Sequence, residues 1–260
     1  MEMTQFIYAE PTAFIYALAR VGPLMLIAPI FGSNHLPLRL RLGLSILLAL
    51  FVRPLMQGAA QSVSAGGFAA NLAAEVMTGL IIGAVVRMIF AGVEYAGQAA
   101  AVFSSFGIGS VYDKSMRPDG RGVPDFFMIF SILVFLSVNG HLMIIEALSR
   151  SFQLIPAGGL SLTPQFMEGF IGLSKEIFVV ALKLSGPVMA ASIFVNVVCG
   201  LAARSGPGLD GMTVSFAVAA VAGIFVILIS LPSLEAVMLA VFDRGFEALE
   251  LLMMEMRHAV

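Results

Sequence analysis

Residues 71–111 read NLAAEVMTGLIIGAVVRMIFAGVEYAGQAAAVFSSFGIGSV, and Glu75, Arg87 and Glu94 are the only charges in them. The run has helix-compatible residues throughout and lacks proline. At 1.5 Å rise per residue its roughly 40 residues would extend about 60 Å, twice the ~30 Å hydrocarbon core of a bilayer. Such a helix must bend back, tilt strongly or continue beyond the membrane. Gly79 and Gly83 form a GxxxG pair, and Gly92, Ala96 and Ala100 place a small residue at every fourth position, with Gly97 beside them. Small residues at this spacing let another backbone approach closely, either a helix of the same chain or one of a neighbouring subunit.

The run passes directly into SSFGIGSVYDKSMRPDGRG, residues 104–122. Gly107 and Gly109 loosen the backbone between Phe106, Ile108, Val111 and Tyr112, whereas the charges and the Pro-Asp-Gly turn that follow demand water. Two readings fit these residues equally well. One is a plain surface loop after a helix end, and the other is a movable apolar strip that closes a passage by excluding water.

The rest of the chain is as apolar. Of 260 residues, 59% are hydrophobic and 12% charged, against about 25% charged in soluble domains, and the mean hydropathy is +0.99. This composition places the protein in or on a membrane, with membrane lipid as one contact. Apolar stretches cover about 12–31, 42–56, 72–103, 126–148, 177–200 and 213–232. Pro23, Pro29, Pro37, Pro187 and Pro232 fall in or beside these runs and predict broken helices, because each removes a backbone donor. Arg20, Glu75, Arg87, Glu94, Glu146 and Lys183 lie within or close to them, and a charge facing lipid at the bilayer centre costs at least about 2.5 kcal/mol. They are therefore expected to be buried against protein or to face water, with Glu75 and Arg87 in polar pairs rather than in a proton relay. Six crossings would put five Lys/Arg on one side and six on the other. Ordinary multispan proteins show a clear bias, so a plain six-span bundle fits poorly.

At the ends, MEMTQFIYAEPT is acidic where a secretory signal would be basic and is expected to be retained. Residues 235–257 set Met238, Phe242, Phe246, Leu249, Leu252, Met253 and Met256 on one stripe opposite Asp243, Glu247 and Glu250. That pattern predicts an amphipathic C-terminal helix which packs on a partner or lies at the membrane surface.

Enzymatic signatures are missing. Cys199 is the single cysteine, which excludes an internal disulfide and a thiolate metal cluster. His141 and Glu146 stand in HLMIIE, which is not HExxH, and no nucleophile elbow, phosphate loop or dinucleotide motif occurs. His141 beside Asn139 predicts a structural hydrogen bond between helices. No catalytic, cofactor or metal residue can be named, and scattered cations at a net charge of −2 give no basic face for nucleic acid.

Several of these residues, in order, resemble the FliR family of flagellar export-gate proteins and its injectisome counterparts. The opening is Arg20-Val21-Gly22, then Ala28-Pro29-Ile30-Phe31-Gly32, Pro37 and Arg39 to Arg41. A second block holds Glu75, Gly79, Gly83 and Ala96-Gly97-Gln98; a third holds Asp113, Val123-Pro124, Asn139-Gly140-His141, Phe152 and Ile155-Pro156. Gly200-Leu201, Arg204 and Pro207 depart from the family pattern, with Ala203 in place of an Asn and Gly208-Leu209-Asp210 in place of an amide-rich run. Lys114 also stands where a proline commonly follows the aspartate.

The resemblance implies a single all-α domain over 1–260, in which kinked, membrane-associated helical hairpins pack into a larger helical export gate. It implies a non-enzymatic subunit of the flagellar type III export apparatus in the bacterial inner membrane, within the basal body. Implied partners are FliP-like and FliQ-like subunits, FlhA-like and FlhB-like proteins, and unfolded export substrates in transit. Residues 104–122, with Phe106, Gly107, Ile108, Gly109, Val111 and Tyr112, would form the plug of the channel. Alternatives are an injectisome gate subunit and a stand-alone secondary transporter, the latter requiring paired halves that the sequence does not display.

Overall fold

A computed structural model describes residues 2–32, 36–56, 65–104, 122–205 and 211–256. The described residues form an all-α membrane protein: α1 (Glu2–Ile27), α2 (Leu38–Val52) with a short 3-10 turn (Arg53–Leu55), α3 (Ala65–Phe103), α4 (Val123–Ser137), α5 (Gly140–Leu154), α6 (Pro164–Ser205) and α7 (Gly211–Glu255).

The long run that opens the sequence is one helix. With 39 residues, α3 is about 58 Å long and neither bends back nor breaks. It shares this length with α6 (42 residues) and α7 (45 residues), of which hydropathy marks only 177–200 and 213–232. Glu168, Lys175 and Glu176 before the first of those runs, and Glu235 and Asp243 after the second, end the apolar signal without ending the helix. Charged residues remain good helix formers.

Three expectations need correction. Helices continue through Pro23, Pro187 and Pro232, since the loss of one donor in a helix of 26 to 45 residues leaves the flanking turns intact. The 126–148 stretch is two helices, because Asn139 takes φ 57° and ends the ladder, a left-handed conformation that asparagine tolerates better than most residues. The C-terminal amphipathic segment is the second half of α7, and its stripe is covered by this chain rather than by a partner or a lipid surface. Met238, Phe242, Phe246, Leu249, Leu252, Met253 and Met256 are all buried.

The chain divides into two compact units. Unit 1 comprises Met1–Met88, Asn139–Leu173 and Asp243–Val260, and unit 2 comprises Ile89–Val138 and Ser174–Phe242. In unit 1, Tyr16, Val21 and Leu24 of α1, Leu148 of α5 and Leu249 and Met253 of α7 are buried core residues. Hydrogen bonds from Ser161 N–H to the Met256 carbonyl (3.0 Å) and from the Thr163 hydroxyl to the Glu255 carbonyl (3.2 Å) fasten the end of α7 to the α5–α6 linker, and Arg150 pairs with Glu250 at the surface. In unit 2, Phe90, Phe135 and Phe242 form a triangle with ring centroids 5.1 to 5.3 Å apart. Such pairs contribute about 0.5–1.5 kcal/mol each beyond their burial.

Candidate functional site

Arg20 and Glu75, fully buried in unit 1, anchor its main polar network. Arg20 sits on the third-last turn of α1 and Glu75 on the third turn of α3. Glu75 Oε2 accepts from Arg20 Nε at 2.7 Å and Oε1 from Nη2 at 3.0 Å, the bidentate fork for which guanidinium geometry is suited. A third donor, the Gly158 backbone N–H, reaches Oε1 at 3.2 Å.

Two more guanidinium donors are engaged. Nη1 donates to Ser151 Oγ at 3.2 Å and Nη2 to the Ile155 carbonyl at 2.9 Å. The Phe152 ring lies under Arg20 Cζ, 4.3 Å from its centroid, adding cation–π attraction. Ser151 in turn donates to the Leu148 carbonyl at 2.7 Å. The pair thus ties α1, α3, the end of α5 and the following linker at one point. Each nitrogen of the guanidinium and both oxygens of the carboxylate have a protein partner, the kind of hydrogen bonding a buried ion pair requires to offset its desolvation. The arrangement clamps elements; the acceptor of Glu75 faces cationic and amide donors rather than a chain of proton carriers.

Local backbone rules bring the linker there. A residue before proline is biased away from helix, and Ile155, preceding Pro156, leaves α5 at φ −121° and ψ 94° with its carbonyl free for Arg20. Gly158 has φ +74°, and a Cβ there would lie 2.6 Å from Asn71 Cγ on α3. Only glycine can present its N–H to Glu75 in this position. Ser151, Gly158 and Asn71 were not foreseen as partners; the Ile155-Pro156 dipeptide and the glycine two residues later are the signals that point to them.

The small-residue pattern is resolved into contacts within each unit. A Cβ on Gly79 would lie 2.9 Å from the Arg20 carbonyl carbon, and one on Gly83 would meet Ile27 Cβ at 3.1 Å and Leu24 Cα at 3.2 Å. The GxxxG pair therefore seats α1 on α3 beside the ion pair. In unit 2, Gly92 faces Val180 of α6, Gly97 faces Pro124 and Phe127 of α4, and Ala96 is buried.

Other expected positions separate. Arg87 is exposed and Glu94 half-buried, so neither is fully buried within this chain as Arg20 and Glu75 are. Glu146 and Lys183 are exposed as well. His141 does not make the expected inter-helix bond through Nδ1, which is buried without a hydrogen-bond partner among the described residues. Phe106, Gly107, Ile108, Gly109, Val111 and Tyr112 lie outside the described residues.

The sequence profile described as bacterial export proteins, family 1, matches residues 12–245. Among curated relatives, the flagellar biosynthetic protein FliR of Pectobacterium carotovorum subsp. carotovorum is 25% identical over 239 residues, covering 91% of this chain and 90% of the relative. FliR of Bacillus subtilis (strain 168) is 24% identical over 242 residues, covering 91% and 93%. FliR of Escherichia coli (strain K12) is 26% identical over 216 residues, covering 81% of each.

Proposed function

The chain belongs to the bacterial export proteins, family 1, and from that membership we propose that it is a non-enzymatic inner-membrane subunit of the flagellar protein export apparatus, helping to form and seal the channel for unfolded flagellar proteins. FliP-like and FliQ-like subunits are its neighbours in that channel within the basal body, and FlhA-like and FlhB-like proteins dock on the assembly.

The observation that carries this reading is the length and incomplete cover of the apolar helices. Gly66–Phe103, Pro164–Leu201 and Val218–Glu255 each span 38 residues, and 28% and 17% of the most apolar windows of the latter two are buried by the chain itself. At about 57 Å, such a helix overruns the ~30 Å that lipid can cover. Helices of this length extend well past the bilayer, as a subunit of a larger assembly does and a stand-alone six-span carrier need not.

Sealing is assigned to residues 106–112 on their sequence alone: Phe106, Ile108, Val111 and Tyr112 would supply an apolar closure, with Gly107 and Gly109 between them and charged residues after. The test is deletion of 106–112 in cells that hold the full apparatus. The assembled complex is expected in normal yield, with rapid loss of membrane potential and small-ion leakage; an ion-tight membrane in the deletion strain would overturn the sealing role.

A further inference from the structure

In unit 1, α2 is covered along one narrow seam. Its buried residues are Ser45, Ala49 and Val52, at i, i+4 and i+7 on one helical face, and α1 packs against the helix. Ser45 is the only polar side chain from Leu42 to Val52, and its hydroxyl donates to the Arg41 carbonyl at 2.8 Å within the helix. Every exposed side chain in that stretch is therefore apolar: Leu42, Leu44, Ile46, Leu47, Leu50 and Phe51. Leu47 is 63% and Phe51 73% exposed, and a Cβ on Gly43, between them, would meet nothing within 4 Å.

At 3.6 residues per turn these side chains sweep roughly 200° of the helix circumference. A helix that packs on one protein neighbour presents an apolar stripe of about 100°, with polar residues beyond it. An arc twice that wide without a polar group suits acyl chains, which cover any azimuth. The charge at the start of α2 agrees. Arg39 is exposed, and Arg41, two residues on, turns its Nε to the Leu36 carbonyl at 3.1 Å. Cations in the first turns oppose the helix dipole, so the stability of α2 does not account for them. Residues 11–74 contain no Asp or Glu, and this part of the chain is one that an anionic surface attracts.

We propose that the exposed arc of α2 is a docking surface for membrane phospholipid, with acyl chains against Leu42 to Phe51 and the Arg39 guanidinium on a headgroup phosphate, in favour of anionic lipids. A guanidinium matches phosphate geometry through paired N–H donors. With 15 residues α2 is about 22 Å long, shorter than the ~30 Å hydrocarbon core, so Arg39 can stay at headgroup depth while the arc lies among acyl chains. The assignment needs only that the protein sits in a membrane and does not depend on the channel reading.

The test is run in cells that hold the full apparatus. A photoreactive phenylalanine analogue replaces Leu47 or Phe51 in turn, with Leu42 as a third position should either lower the yield of complex, and adducts formed on illumination are identified by mass after purification. Phospholipid is expected as the main adduct, with anionic headgroups enriched at least about twofold over their share of the membrane. Arg39→Gln, at normal complex yield, is expected to abolish the enrichment while lipid adducts persist. Adducts mainly to another subunit, or no lipid adduct at any of the positions, overturn the docking surface. Lipid adducts without anionic enrichment, or an enrichment that Arg39→Gln leaves intact, overturn the headgroup contact. None of these outcomes alters the channel reading, which ion leakage in the 106–112 deletion strain tests separately.

Discussion

Glu75 and Arg20 illustrate what a buried charge demands of its surroundings. Removing one partner strands the other in a dry site, at a cost of about 3–5 kcal/mol. Glu75→Ala or Arg20→Ala is expected to lower the thermal midpoint and yield of the purified complex sharply, whereas Arg20→Met with Glu75→Met should cost much less than the sum of the single changes. Export should fall in step with yield in Glu75→Gln; lost export at unchanged yield would replace the clamp with a proton-relay role. Gly79 offers an independent check on the same contact. Gly79→Ala forces a methyl group into the Arg20 backbone, whereas Gly22→Ala meets nothing within 4 Å. The first is expected to reduce folded protein by an amount typical of core overpacking, about 1–3 kcal/mol, and the second to be neutral in the same thermal assay.

Among the elements, α7 departs most from its appearance in the sequence. The apolar run to Pro232 and the amphipathic stripe after it read as two helices because hydropathy and periodicity both change there, yet helix continuity depends on neither. Leu252 is 3% exposed, packing on Gly169 of α6, while its neighbour Leu251 is 61% exposed. Leu252→Ala is expected to destabilise unit 1 by about 2–5 kcal/mol, and Leu251→Ala by about 0.5 kcal/mol or less, as read by thermal unfolding in detergent. Equal effects would return the stripe to an outside partner. The GxxxG contact and the charge at Glu75 were legible because small-residue spacing and a lone carboxylate in an apolar helix each have few physical solutions. The linker contacts were not, since Gly158, which donates to Glu75, lies 83 residues from it and Ser151, which accepts from Arg20, lies 131 residues from that partner; only Ile155-Pro156 and the glycine two residues later hint at them. Arg87 and Glu94, expected to face protein or water, are less buried in this chain than Glu75, a difference hydropathy does not register because it reports the helix around a charge, not which side of the helix it occupies.

For the molecule as a whole, the all-helical class was implied by the family resemblance and the length of the third run restricted it to bending, tilting or extending past the membrane, while the division into two units was not legible, since segments far apart in sequence alternate between them. Expressed without other subunits, the chain should be recovered poorly or as heterogeneous aggregates, because the exposed faces of α6 and α7 lack cover. Co-expression with FliP-like and FliQ-like subunits should give a single defined particle by size-exclusion chromatography and mass measurement. A well-behaved lone monomer would argue against the assembly.

The makeup of unit 1 also sets a timetable for biogenesis. Its first segment, ending at Met88, leaves the ribosome about 150 residues before Asp243 begins the helical stretch that completes it. At roughly 5–20 residues per second, the nascent protein holds an open apolar face for on the order of ten seconds or more. Insertion machinery or a sister subunit must shield it during that interval, which makes the order and rate of translation part of how this subunit reaches its finished form.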